Sequence, residues 1–157
     1  MNTLLNALNN IERDWLQSPQ SLTKRLREFT HNKITHHLFY DGWGTADNLA
    51  LAALSIDRTI KTWIRRMEWR YENEIWVPCS VIIPETSITD NTRELKNIKN
   101  QSIGDILFQD KKLMRTDFTF YKNSENNWTR HSIFYFKQQP LLIIENFLPP
   151  FFEKLCA

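Results

Sequence analysis

The segment "LLIIENFLP" (141–149) places one carboxylate, Glu145, in a run of apolar residues, and "WIRRM" (63–67) places Arg65 among bulky ones. A buried, unpaired carboxylate costs several kcal/mol even after relaxation. Glu145 must therefore reach water, have a partner, or work on a ligand. Strand alternation assigns the faces. In 60–71 one face carries Ile60, Thr62, Ile64, Arg66, Glu68 and Arg70. The other carries Lys61, Trp63, Arg65, Met67, Trp69 and Tyr71, so Arg65 lies on the bulky face and Arg66 on the charged one. The last strand is apolar on both faces, which predicts a central strand covered on both sides. Two readings of Arg65 and Glu145 stay open. They form a buried ion pair with each other, or one snorkels to water. Alternatively, Arg65 binds an anion and Glu145 is a carboxylate tuned by an apolar site.

Other chemistries are poorly supplied. Cys79 and Cys156 stand apart, with no CxxC, and His31, His36, His37 and His131 do not make a zinc pattern. His36 and His37 fall on opposite faces of a strand. No metal site and no cofactor are expected. With only 3 Gly there is no glycine-rich phosphate loop. A net charge of +2 is too small to argue for nucleic acid. "TKRLR" (23–27) reads as a solvated helix face. No leader or membrane-length apolar run is apparent, so the expectation is a soluble, reduced, cytoplasmic monomer without an integral membrane segment.

The elements that must hold Arg65 and Glu145 follow from periodicity. The 157 residues favour one domain, residues 1–157. "LLNALNNIERDWL" (4–16) puts Leu4, Leu5, Leu8, Ile11 and Trp15 on one helical face. "SPQSLTKRLREF" (18–29) offers a helix capped by Ser18 with Pro19 first, or a later start at Ser21. "KITHHLFYDGWG" (33–44) reads as a strand and "DNLALAAL" (47–54) as a short helix. Residues 59–71 and 75–84 form a hairpin, and 113–122 with 128–137 a second one, before the last strand from Pro140 to Phe147, which "LPPFF" stops. "TDNTRELKNI" and "SIGDILF" are short helical pieces. Helices followed by antiparallel strands make an α+β domain.

At these residues the chain resembles the chorismate lyase (chorismate pyruvate-lyase) family of ubiquinone biosynthesis. The matching segments are "SLTKRL" (21–26), "WIRRM" (63–67), "PCSVIIP" (78–84), "SIGDILF" (102–108), "RTDF" (115–118), "NWTR" (127–130) and "PLLIIENFLP" (140–149), in the family's order and at about its spacing. The resemblance implies a six-stranded antiparallel sheet with helices and flaps over a buried site. It implies cofactor-free conversion of chorismate to 4-hydroxybenzoate and pyruvate. It also implies that Arg65 grips the ring carboxylate, that Leu22 and Ile103 add main-chain N–H donors, and that Glu145 meets the hydroxyl-bearing side of the ring. There Glu145 has two candidate roles: protonated, a general acid toward the departing enolpyruvyl group, or ionised, an acceptor of the ring hydroxyl or of the adjacent ring proton. Ser80 stands where the family commonly has an Arg, so no second anion contact is expected from that strand. The rival reading is a non-catalytic domain of the same fold that senses an aromatic carboxylate. Only about thirty residues precede the sheet region, which is too few for a DNA-binding module with its linker.

Overall fold

Two tight turns fix the registers on which the site depends. Strands β2 (Thr62–Tyr71) and β3 (Glu74–Pro84) are joined through Glu72 and Asn73, both at positive φ (49° and 67°). Strands β6 (Trp128–Phe136) and β7 (Gln139–Phe147) are joined through Lys137 and Gln138 at 48° and 71°. Two successive positive φ values make the turn whose twist matches paired strands. Here no Gly supplies it.

The computed structural model describes the chain from residue 3 onward, with side chains from Leu5. The remaining strands are β1 (Thr35–Gly44), β4 (Met114–Arg115) and β5 (Thr119–Lys122). All seven form one antiparallel sheet in the order β1-β2-β3-β7-β6-β4, with β5 also on β6. The expected strand at 113–122 is split in two, which raises the count from about six to seven. The last strand is central, between β3 and β6, as its two apolar faces require.

The helices are α1 (Asn10–Gln17), α2 (Leu22–Phe29), α3 (Asn48–Leu54), α4 (Ile103–Leu107) and α5 (Pro149–Leu155). One face of the sheet packs under α1, α2, α4 and α5 in the main core, which includes Trp15, Leu26, Trp76, Leu141, Phe147 and Phe151. The other face is partly covered by α3, through Ala50, Leu54, Ile64, Ile82 and Leu142.

Two helical expectations change. Residues 4–16 are not one helix. A 3-10 turn (Thr3–Ala7) ends before Asn9, which starts α1 through a capping box with Glu12. The restart resets the helical phase, so Leu5, Leu8 and Trp15 are buried while Ile11 is 51% exposed; the Leu4 side chain lies outside the described residues. The chain end, read only as a strand stop, is helix α5, with Pro149 and Pro150 in its first turn, where proline is tolerated. Ser21 rather than Ser18 caps α2, accepting from Lys24 N–H at 3.2 Å.

Candidate active site

Rows of directly opposed residues run across the sheet, and two of them build the floor of a cavity. The first is Leu38–Met67–Cys79–Glu145–Arg130, one residue from each of β1, β2, β3, β7 and β6. The second is Asp41–Arg65–Val81–Ile143–Ser132. Met67, Cys79, Glu145, Arg130, Val81 and Ile143 all line the cavity, which encloses about 600 Å³ of atom-free space, part of it open to solvent.

The roof comes from two helix starts. Leu22 and Ile103 line the cavity and are the first residues of α2 and α4, each directly after a capping serine, Ser21 or Ser102. The backbone N–H at such a position has no acceptor within its own helix. The two starts are pinned together. Thr23 and Ser102 share a hydrogen bond of 2.7 Å, and Arg27 grips Asp105 with two bonds of 2.7 and 2.8 Å. Gly104 permits the approach, since a Cβ there would stand 2.9 Å from Thr23 Oγ1.

Glu145 has a partner, and it is not Arg65. Arg130 Nε donates to Glu145 Oε1 at 2.7 Å. Arg65 is fully buried on the predicted face of β2, but it is not among the lining residues. Its Nη2 donates to Gln101 O at 2.9 Å, and its Nη1 lies 3.3 Å from Asp41 Oδ1. Nε and Nη1 make no hydrogen bond among the described residues. Burial lowers the proton affinity of this guanidinium, and the charge of Asp41 offsets part of the effect. The structure thus brings Leu22, Ile103 and Glu145 to one cavity and sets Arg65 beside it, next on its strand face to Met67.

Alternation could not assign Asp41, Arg115 and Phe118 to this face. A register shift between Leu38 and Tyr40 adds one residue to β1 and turns Asp41 toward Arg65. Arg115 opposes Phe134 while Thr119 opposes His131, so β4–β5 spends four steps where β6 spends three. The extra residue flips the parity and lets Arg115 and Phe118 both line the cavity. Their own contact is close, with the Arg115 guanidinium 3.6 Å from the Phe118 ring centre. The segments "RTDF" and "NWTR" carry Arg115 and Arg130, but nothing in their residue pattern singles out either arginine.

Ser80 opposes Arg66 and, with it, lines a depression on the other sheet face. The residue at that position therefore does not face the cavity. Cys79 does, but burial and the Glu145 carboxylate push its thiol well up, so it stays neutral and is a poor nucleophile. His36 also lines the cavity; its Nδ1–H donates to Asn100 O at 3.1 Å and its ring packs on Trp69. Burial, and secondarily the Arg65 charge, lower its pKa. Among the described residues no cluster of three or more His, Cys, Asp or Glu could hold a metal ion.

A family model described as chorismate lyase matches residues 2–157. The chain belongs to the chorismate lyase family. Its relatives include a protein of Coxiella burnetii named probable chorismate pyruvate-lyase, 35% identical over 90% of this chain and 84% of that one. The chorismate pyruvate-lyase of Proteus mirabilis is 28% identical over 86% of this chain and 79% of its own. By fold, this chorismate lyase family member is similar to two solved structures of a different kind. One is a possible transcriptional regulator, YydK, of Bacillus subtilis (TM-score 0.54, 11% identity, 76% of this chain and 60% of that one). The other is the C-terminal domain of the histidine utilization repressor of Pseudomonas syringae (TM-score 0.52, 5% identity, 74% and 92%). At those identities the likeness concerns the fold alone.

Proposed function

We propose that this protein is a chorismate pyruvate-lyase, a carbon–oxygen lyase that converts chorismate to 4-hydroxybenzoate and pyruvate and so feeds ubiquinone biosynthesis. The observation that carries the reading is a family match over residues 2–157 together with a cavity whose charged lining is Arg115, Arg130 and Glu145, two cations against one carboxylate. That balance suits a small dianion. In the reaction the ring C–O bond breaks and the enolpyruvyl group leaves with the electron pair. A ring proton is lost, its C–H pair becomes the new ring double bond, and the released enolate takes a proton on carbon to become pyruvate. Aromatisation makes the overall change downhill, so the protein has mainly to orient the substrate and stabilise developing charge.

In this reading the ring carboxylate meets the free N–H groups of Leu22 and Ile103. To reach Arg65, which stands beside the cavity, the ring carboxylate must extend past the present lining to Nε and Nη1, the donors without a hydrogen bond among the described residues. Charge-assisted, forked donation fits a carboxylate. Glu145 faces the hydroxyl-bearing side. The apolar wall of Met67, Val81, Ile143 and Leu107 excludes water and strengthens each polar contact. Residues 1–157 act as one domain, in keeping with a family match over residues 2–157, and as a monomer. Cytoplasmic action is supported by two free cysteines, which fit a reducing compartment. Among the described residues no helix is long and apolar enough to cross a membrane.

The test is to incubate purified protein with chorismate and EDTA and to follow both products. Equal amounts of 4-hydroxybenzoate and pyruvate, unchanged by EDTA, are expected. Chorismate binding without turnover would overturn the lyase reading in favour of a sensing domain.

A further inference from the structure

We infer that Arg130 is a positioning residue that holds Glu145 as a carboxylate, so that Glu145 serves the reaction as a proton acceptor and not as a proton donor. The inference rests on the lyase reading above and assigns the role that reading leaves open.

Arg130 and Glu145 are directly opposed across β6 and β7, and the Arg130 side chain is almost wholly buried. Its Nε takes Glu145 Oε1 at 2.7 Å, while its Nη1 donates to three main-chain carbonyls, Leu16 O at 2.7 Å, Trp15 O at 3.2 Å and Ser18 O at 3.3 Å. Those carbonyls lie at the C-terminal end of α1, where a helix leaves its acceptors unmatched and carries partial negative charge. The Phe118 and Phe147 rings stand 4.2 and 5.3 Å from the guanidinium carbon. The cation is therefore fixed from several sides and cannot follow a substrate out of the site.

A fixed, buried cation beside a carboxyl favours its charged form. Protonating Glu145 would leave Arg130 as a buried charge without a counter-ion, which is costly. The other groups that face Glu145 do not oppose this. Cys79, directly across on β3, is a neutral thiol. Arg115, on β4, is a second cation, with Asp117 acting on Arg115 itself. Glu145 makes no other hydrogen bond among the described residues, so Oε2 is left for the cavity. Such a carboxylate can take the ring proton. The C–H pair then forms the ring double bond as the C–O bond breaks toward the enolpyruvyl group. Glu145 later returns the proton to solvent, and the enolate is protonated on carbon.

Arg130 also anchors the wall. The chain it holds at Trp15–Ser18 leads directly into Pro19–Leu22, which line the cavity and start α2. One guanidinium thus ties the carboxylate to the segment that presents the Leu22 N–H.

The experiment compares pH profiles of kcat for the wild type, Arg130→Lys and Arg130→Met. It is paired with 13C NMR titration of the Glu145 carboxyl, assigned by its loss in Glu145→Gln. A proton acceptor gives activity that is lost on the acidic side, whereas a proton donor gives activity lost on the alkaline side; a wild-type profile of the second kind overturns the inference. In Arg130→Met the acidic limb and the carboxyl titration should both move to higher pH, with kcat reduced about 10²-fold or more. In Arg130→Lys they should move less, in the same direction. A folded Arg130→Met protein with an unmoved limb and unmoved carboxyl titration makes Arg130 merely structural and overturns the inference. If Arg130→Met does not fold, the absence of any displacement in Arg130→Lys overturns it. If the wild type releases no pyruvate, the lyase reading fails, and the NMR titration still tests whether Arg130 holds the carboxylate.

Discussion

Two arginines, Arg65 on β2 and Arg130 on β6, are both almost fully buried on the same sheet face, yet they are served very differently. Arg130 has a carboxylate on Nε and three carbonyls on Nη1. Arg65 has one carbonyl on Nη2 and a looser approach to Asp41 at 3.3 Å, and its Nε and Nη1 make no hydrogen bond among the described residues. Buried polar groups in folded proteins are overwhelmingly hydrogen-bonded, so the two unpartnered nitrogens of Arg65 call for an explanation. Two guanidiniums that look alike in sequence thus differ: Arg130 fastens the protein to its own carboxylate, and Arg65 has two donors without a hydrogen bond among the described residues, which the proposed function assigns to an anion.

The largest effect should come from the acid side of the Arg130 pair. Glu145→Gln can still accept from Arg130 Nε, so the variant should fold and bind 4-hydroxybenzoate. Its turnover number should fall by about 10²–10⁴-fold, the usual worth of a positioned proton-transfer group. Normal turnover would reduce Glu145 to a mere partner of Arg130 and remove half of the comparison.

Arg65→Ala should come next. Loss of a buried charge-assisted contact costs about 2–5 kcal/mol, read in titration calorimetry as 4-hydroxybenzoate binding weaker by about 30-fold to several-thousand-fold. Unchanged affinity would mean that Arg65 serves only Asp41 and Gln101.

A subtler difference concerns His36, which feels Arg65 and not Arg130. Its folded pKa lies below the ordinary imidazole value, so the unfolded chain binds the proton first. The stability associated with neutral His36 is therefore complete above the unfolded value, about 6.5, and declines as pH falls from there toward the folded pKa. Arg65→Met removes a charge that depresses this group. NMR of the imidazole ring should show His36 titrating at higher pH than in wild type, with no displacement in Arg130→Met. Equal displacement in both variants would contradict the separation of the two arginines.

The smallest effect belongs to Arg66, adjacent to Arg65 but exposed on the opposite face. Arg66→Ala should alter stability by no more than roughly 0.5 kcal/mol in chemical denaturation and leave ligand affinity intact. A damaging Arg66→Ala would put the wrong arginine on the cavity side.

The sequence by itself determined what local periodicity carries. It separated Arg65 from Arg66, made β7 a central strand, allowed helix starts at Ser21 and Asp47, and raised the question of what a carboxylate does at Glu145. It could not name the partner of Glu145, because Arg130 reaches it through cross-strand register, a relation between segments that no window of either one contains. Nor could it place Asp41, Arg115 or Phe118, since one extra residue in β1 and one between β4 and β5 invert the parity on which face assignment rests. The restart of helix α1 at Asn9 misled in the same way, a local cap breaking the phase of a longer pattern. Periodicity survives only where the backbone stays regular, and in this fold the backbone departs from regularity where β1 and β4–β5 turn Asp41 toward Arg65 and bring Arg115 and Phe118 to the cavity.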